Sequence, residues 1–163
     1  MNSLRQIYTK YGDDGYTKGL SGARIAKSSP LIEVYGTFDE LGAFLGFAAS
    51  AVNDSLAFHK QICVVQEDIF FVLANLQKDF SDNIKRLEME IDLMLKDLSA
   101  ATGFVFESTN EIACRLHLAR VVCRRLERLL VRFHDELKFD QSVLAYINRL
   151  SDWIYVMGRT KLC

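Results

Sequence analysis

The 163-residue chain has a single proline, Pro30, and after Gly46 only two more glycines, Gly103 and Gly158. Proline locks φ and removes a donor, and glycine admits backbone that other residues avoid. Their scarcity argues against a turn-rich β protein and predicts long helices over most of the chain. There is no basic surplus either. Lys and Arg total 20 against 21 Asp and Glu, a net charge of −1, which argues against a general nucleic-acid binder built on phosphate neutralisation. The four cysteines, Cys63, Cys114, Cys123 and Cys163, form no CxxC pair, and none has a histidine at metal-finger spacing. Cys63 and Cys123 sit among apolar residues and read as small core side chains. No Glu-x-x-His motif occurs, which removes the di-metal carboxylate bundle. No apolar run is long enough for a membrane span, and no signal-peptide pattern opens the chain. The expectation is a reduced, cytoplasmic or organelle-matrix protein with no nucleic-acid or membrane partner and no metal held by its own side chains.

What is present is a composition half hydrophobic and a quarter charged, that of one globular domain, 1–163, able to bury a sizeable core. Residues 1–36 read as a glycine-rich loop region with at most short extended pieces near 7–8 and 31–34. Residues 37–160 read as an all-α, up-and-down bundle of about five helices. "TFDE" offers Thr37 as an N-cap with Glu40 as its capping-box partner. Leu41, Phe44, Leu45, Ala48 and Val52 continue it as a helical stripe. A second helix is expected from near Ser55 through "QICVVQEDIFFVLANLQ". A third over 81–99 carries Ile84, Leu87, Ile91, Leu95 and Leu98, and Gly103 ends it. A fourth covers roughly 109–134 and a fifth roughly 140–160.

The fourth helix is unusual. Between Arg115 and Arg132 it holds six arginines and one acid, Glu127. At about 100° per residue, Leu116, Ala119, Val122, Cys123, Leu126, Leu129, Leu130 and Phe133 fill one broad core sector. Arg120, Arg124, Glu127 and Arg128 occupy an arc beside it, and Arg125 and Arg132 lie further round. A solvated basic face accounts for one or two arginines. A cluster that its own chain does not neutralise suits a confined phosphate or carboxylate, which the guanidinium fork binds through two parallel hydrogen bonds. On the fifth helix Ile147, Leu150, Ile154 and Met157 form the buried stripe. Asn148, Ser151 and Tyr155 adjoin it, so that Asn148 is either a surface residue or a hydrogen-bonding group beside Arg124.

The N-terminal "YTKYGDDGYTKGLSGARIAK" alternates glycines with Thr9, Lys10, Thr17, Lys18 and Lys27. Small residues let backbone N–H groups converge on an anion, and the hydroxyls and ammoniums add donors. It is neither a Walker A loop nor a dinucleotide fingerprint. By spacing alone a flexible tail explains it equally well.

Five stretches in order, "IYTKYGDDGYTKGLSG", "YGTFDELGAFLG", "VVQEDIFFVLA", "HLARVVCRRLER" and "NRLSDWIYVMGR", together resemble the PduO-type ATP:cob(I)alamin adenosyltransferase family over nearly the whole chain. The resemblance implies a homotrimer of helical bundles with its site between subunits. The implied reaction transfers the adenosyl group of ATP to the cobalt of reduced cobalamin, with Mg2+ carried mainly on the phosphates. By matching position, it implies ATP contacts from Thr9, Lys10, Tyr11, Gly12, Thr17, Lys18 and Lys27 of the loop. From the helices it implies Arg124, Arg125, Glu127 and Arg128, with Asn148 near the nucleoside. Arg120 and Asp39 match a pair formed across subunits, and Phe104 matches the aromatic under the corrin ring. Arg124, Arg128 and Phe104 are the implied catalytic residues. Tyr11 and Lys18 stand where the family usually has Thr and often Ser, and Glu107-Ser108-Thr109 where it commonly has Pro-Gly-Gly. A reductase of the flavoprotein type and an adenosylcobalamin-dependent enzyme are the implied partners. A non-enzymatic carrier of ATP and cobalamin is the other reading that this arrangement leaves open.

Overall fold

The computed structural model describes residues 8–20, 22–51, 56–98 and 110–161. Within them the chain runs β1 (Tyr16–Lys18), β2 (Arg24–Ala26), α1 (Pro30–Ala49), α2 (Leu56–Ala74), α3 (Ser81–Leu95), α4 (Glu111–Arg132), α5 (His134–Leu137) and α6 (Gln141–Arg159). The all-α bundle preceded by a glycine-rich segment is what the sequence predicts. The short α5 continues the fourth expected helix after a break at Phe133, and Lys138, left-handed with φ 48°, ends it. Both α4 and α6 start on side-chain caps. The Asn110 carboxamide oxygen accepts from the Ala113 N–H at 3.0 Å, and the Asp140 carboxylate accepts from the Ser142 N–H at 2.9 Å.

Two local expectations need correction. The first helix begins at Pro30, not at Thr37. Proline is preorganised for the first helical position, where its missing N–H has no partner to lose. Val34 is fully buried and Leu31 and Tyr35 pack on the core, so the helix starts about two turns upstream. Thr37 is therefore interior: its buried hydroxyl donates to the Glu33 carbonyl at 2.9 Å instead of capping. Residues 31–34, read as a possible extended piece, are helical, and residue 7 lies outside the described residues. The strands form instead at 16–18 and 24–26, an antiparallel pair with Thr17 opposite Ile25.

In the bundle α4 packs chiefly on α6 and on α1, while α3 packs on α6 and α2 on α1. The predicted α4 sector is the core face: Leu116, Ala119, Val122, Cys123, Leu126 and Leu130 are buried, and Leu129 and Phe133 pack against them. On α6, Ile147, Leu150, Ile154 and Met157 are buried as expected. On α3 the stripe is Ile84, Leu87, Ile91 and Met94, whereas Leu95 is exposed, one residue off the face. Cys63 is only partly buried, because it lies one position from Ile62, which takes the core place on α2.

A polar network closes the bundle where α2, α3 and α6 meet. Arg86 pairs with Asp68, and with Glu90 at 2.8 Å. Asn83 and the Tyr146 hydroxyl also donate to Asp68, at 3.0 and 3.2 Å, and the Trp153 indole N–H donates to Glu90 at 2.7 Å. Burial would lower the pKa of Arg86, but the two carboxylates outweigh it and hold the guanidinium above its ordinary value. Burial pushes the Tyr146 phenol well up, and the Asp68 charge adds to this.

Candidate functional site

Because α4 is flanked by α1 on one side and α6 on the other, its basic arc faces outward between two edges. At the α6 edge, Asn148 donates to the Glu127 carboxylate at 2.9 Å, and Arg124 stands 3.8 Å from the same carboxylate. The sequence left Asn148 as either a surface residue or a group beside Arg124, and the structure brings Arg124, Glu127 and Asn148 together. With its side chain only 18% exposed, Glu127 is held by Asn148 and faces Arg124 alone among the arginines of the arc. Arg120 lies over the Tyr155 ring at 5.1 Å, and its buried Nε has no hydrogen-bond partner among the described residues. Arg128 is exposed and makes no hydrogen bond or ion pair among the described residues.

At the α1 edge Arg125 pairs with Glu40. The pair lines a pocket of about 220 Å³ together with Lys27, Ile32, Glu33, Gly36 and Thr37. The glycine-rich segment thus delivers Lys27 to a place that α4 also reaches. Lys27 is anchored twice. Its Nζ donates to the Gly12 carbonyl at 2.8 Å, and its N–H donates to the Gly15 carbonyl at 2.9 Å. Gly15 and Gly22 both have φ of 85°, the left-handed region that glycine enters without strain. A Cβ at Gly12 would lie 2.9 Å from Lys27 Nζ and 3.2 Å from the Tyr16 carbonyl oxygen. Arg24 is occupied by Asp14 and by the Tyr16 ring, 4.1 Å away. Lys10, Tyr11 and Lys18 are exposed, Thr17 is half-buried, and the Thr9 hydroxyl accepts from the Tyr11 N–H at 3.4 Å.

The structure does not join Asp39 to Arg120. Asp39 is exposed on α1, and no ion pair links the two within one chain among the described residues. Phe104, Gly103 and residues 107–109 lie outside the described residues. Sequence reasoning treated Glu40 as a capping partner and passed over Glu33. Their spacing of seven, which puts them on one face of a helix, was the available signal. Cys123 is not a nucleophile: burial drives its thiol pKa far up, and its Sγ donates to the Ile147 carbonyl at 3.3 Å.

The arginine helix and the lysine-bearing glycine segment thus meet at the α1 edge, where Lys27 and Arg125 line one pocket, and at the α6 edge Arg128 stays without an ion pair among the described residues. The cobalamin adenosyltransferase profile matches residues 7–161, almost the entire chain. The chain belongs to the cobalamin adenosyltransferase family. The corrinoid adenosyltransferase PduO of Salmonella typhimurium is 36% identical, over 95% of this chain and 49% of that protein. The corrinoid adenosyltransferase of Bacillus subtilis is 32% identical, over 94% of this chain and 85% of that protein. The chain spans about half the length of the PduO relatives that it matches. Among solved structures, a variant of the PduO-type ATP:corrinoid adenosyltransferase from Lactobacillus reuteri, complexed with cobalamin and ATP, superposes with a TM-score of 0.85. It is 29% identical, with 94% of this chain and 92% of that chain covered. A second variant of the same enzyme, complexed with ATP, gives 0.87 at 29% identity, covering 95% and 93%. Family membership thus extends over the glycine-rich segment and the arginine helix alike.

Proposed function

We propose that the chain transfers the 5′-deoxyadenosyl group of ATP to the cobalt of cob(I)alamin, giving adenosylcobalamin and inorganic triphosphate. The observation that carries this reading is the outward arc of α4, where Arg124, Arg125 and Arg128 face out with Glu127 already held by Asn148, in a chain of this family. Cob(I)alamin is itself the nucleophile. A cobalt–carbon bond forms at C5′ as the carbon–oxygen bond to the triphosphate breaks, and that electron pair leaves with the triphosphate. The protein therefore needs no nucleophile of its own. It must hold C5′ over the cobalt and meet the charge that develops on the leaving group.

Arg124 and Arg128 are the groups assigned to that charge. Arg125 and Lys27 bind the phosphates from the α1 edge, and Thr9, Lys10, Tyr11, Gly12, Thr17 and Lys18 complete the loop side. Asn148 and Glu127 form the nucleoside edge. Glu33, lining the same pocket as Lys27 and Arg125, is a carboxylate of the kind that suits a magnesium ion carried on the phosphates. Phe104 is assigned to the lower face of the corrin. We further assign the active form to a homotrimer in which Arg120 meets Asp39 of a neighbouring copy. Asp39 is exposed, and Arg120, over the Tyr155 ring, makes no ion pair among the described residues, which supports that pairing. A cytoplasmic location, a flavoprotein reductase upstream and an adenosylcobalamin-dependent enzyme downstream complete the reading.

Incubation with ATP and reduced cobalamin should convert the corrin spectrum to that of adenosylcobalamin. Losing one charge-assisted phosphate contact costs about 1.5–3 kcal/mol, so Arg124→Ala should slow turnover by roughly 10- to 150-fold. Its apo thermal midpoint should stay near that of the parent. Binding of both substrates without conversion would point to a carrier instead. Undiminished turnover in Arg124→Ala would remove that arginine from the site.

A further inference from the structure

Arg125 differs from its neighbours on the arc. Arg128 is unpartnered among the described residues and Arg124 stands 3.8 Å from its nearest carboxylate, whereas Arg125 is in direct contact with Glu40 of α1. The pair does not lie on a flat surface. It lines the pocket of about 220 Å³ that Lys27 and Glu33 also line. At Gly36 the wall is open, since a Cβ there would meet nothing within 4 Å. Two cations and two carboxylates share this cavity, so its formal charge is zero. Although it holds two of the cations assigned to phosphate, it is not a vacant anion site. A guanidinium edge that holds a carboxylate is not available to a phosphate, because both acceptors use the same pair of donors. The partners' side chains are 47% and 52% exposed, and ion pairs so open to water are weak enough to exchange.

We propose that Glu40 is a surrogate for phosphate. It holds Arg125 in the nucleotide-free protein, gives Arg125 up to the triphosphate of ATP, and recaptures it as the inorganic triphosphate leaves. This rests on the phosphate assignment of Arg125 made above. Its consequence is that Glu40 keeps product affinity below what Lys27 and Arg125 could supply, which favours release.

The test measures dissociation constants for inorganic triphosphate by calorimetry at low ionic strength. The proteins are the parent, Glu40→Gln, Arg125→Ala and the double variant. Opening an exposed pair should tighten binding in Glu40→Gln by roughly two- to fivefold. Arg125→Ala should weaken binding, and in that background Glu40→Gln should change nothing. Unchanged or weaker binding in Glu40→Gln overturns the proposal. So does an equal tightening in the Arg125→Ala background, which would reflect only the removal of a negative charge near the anion. Parental affinity in Arg125→Ala would take Arg125 out of the phosphate site and bring down both readings. Weakened binding in Arg125→Ala with no effect of Glu40→Gln removes the exchange alone.

Discussion

Replacing Arg86 with methionine keeps the aliphatic stem of the side chain and removes the cation from the network joining α2, α3 and α6. Asp68 and Glu90, with side chains 16% and 23% exposed, would then face each other without a counter-charge. Only Asn83, Tyr146 and Trp153 would remain as donors. Removing one partner of a fully buried ion pair costs about 3–5 kcal/mol. Here Arg86 itself is 28% exposed, so water reaches part of the site and we expect a loss of about 2–3 kcal/mol. For a domain of this size that is a fall in thermal midpoint of roughly 4–12 °C. The assay is thermal unfolding followed both by circular dichroism and by the fluorescence of Trp153, the only tryptophan, whose indole N–H is bonded to Glu90. Adding Asp68→Asn to Arg86→Met should recover part of the loss, because one of the two uncompensated charges is gone. A midpoint within a degree of the parent would show that the network is a solvated surface cluster. So would an Asp68→Asn change that deepens the loss, and the burial argument would then fail.

Asp39→Asn should weaken ATP binding by roughly tenfold if it strands Arg120 across a subunit boundary, and the charge swap of Asp39→Arg with Arg120→Asp should partly restore it. An active monomer in sedimentation would contradict the shared site. Gly12→Ala should raise the KM for ATP several-fold, since the new Cβ would sit 2.9 Å from Lys27 Nζ and displace that ammonium from its bond to the Gly12 carbonyl, and an unchanged KM would separate Lys27 from nucleotide binding. Burial raises the phenol pKa of both Tyr35 and Tyr146. A group whose pKa is raised on folding stabilises fully below its unfolded value and loses that contribution as pH climbs, so stability should fall above about pH 10. Tyr146→Phe should flatten that fall in urea midpoints taken between about pH 8 and 11, and an unaltered slope would assign the alkaline loss elsewhere.

The helices and the two faces of α4 were legible in the sequence because both are local and periodic. A spacing of three and four residues separates the buried sector of α4 from its arginine arc whatever the rest of the chain does, and on α6 it placed all four residues of the stripe correctly. The same logic put Arg124, Glu127 and Asn148 within reach once two helices were packed side by side. The start of α1 was not legible. Pro30 and Gly36 are loop signals by composition, and only the packing of the first turns of α1 on the core, with Val34 fully buried, shows that proline opens the helix and glycine lies within it. Nor could periodicity have found the pocket of Lys27, Glu33, Glu40 and Arg125. Its four charges come from the glycine-rich segment, from α1 and from α4. Which acid neutralises which arginine depends on how those elements pack, and sequence spacing carries that information only within a single helix.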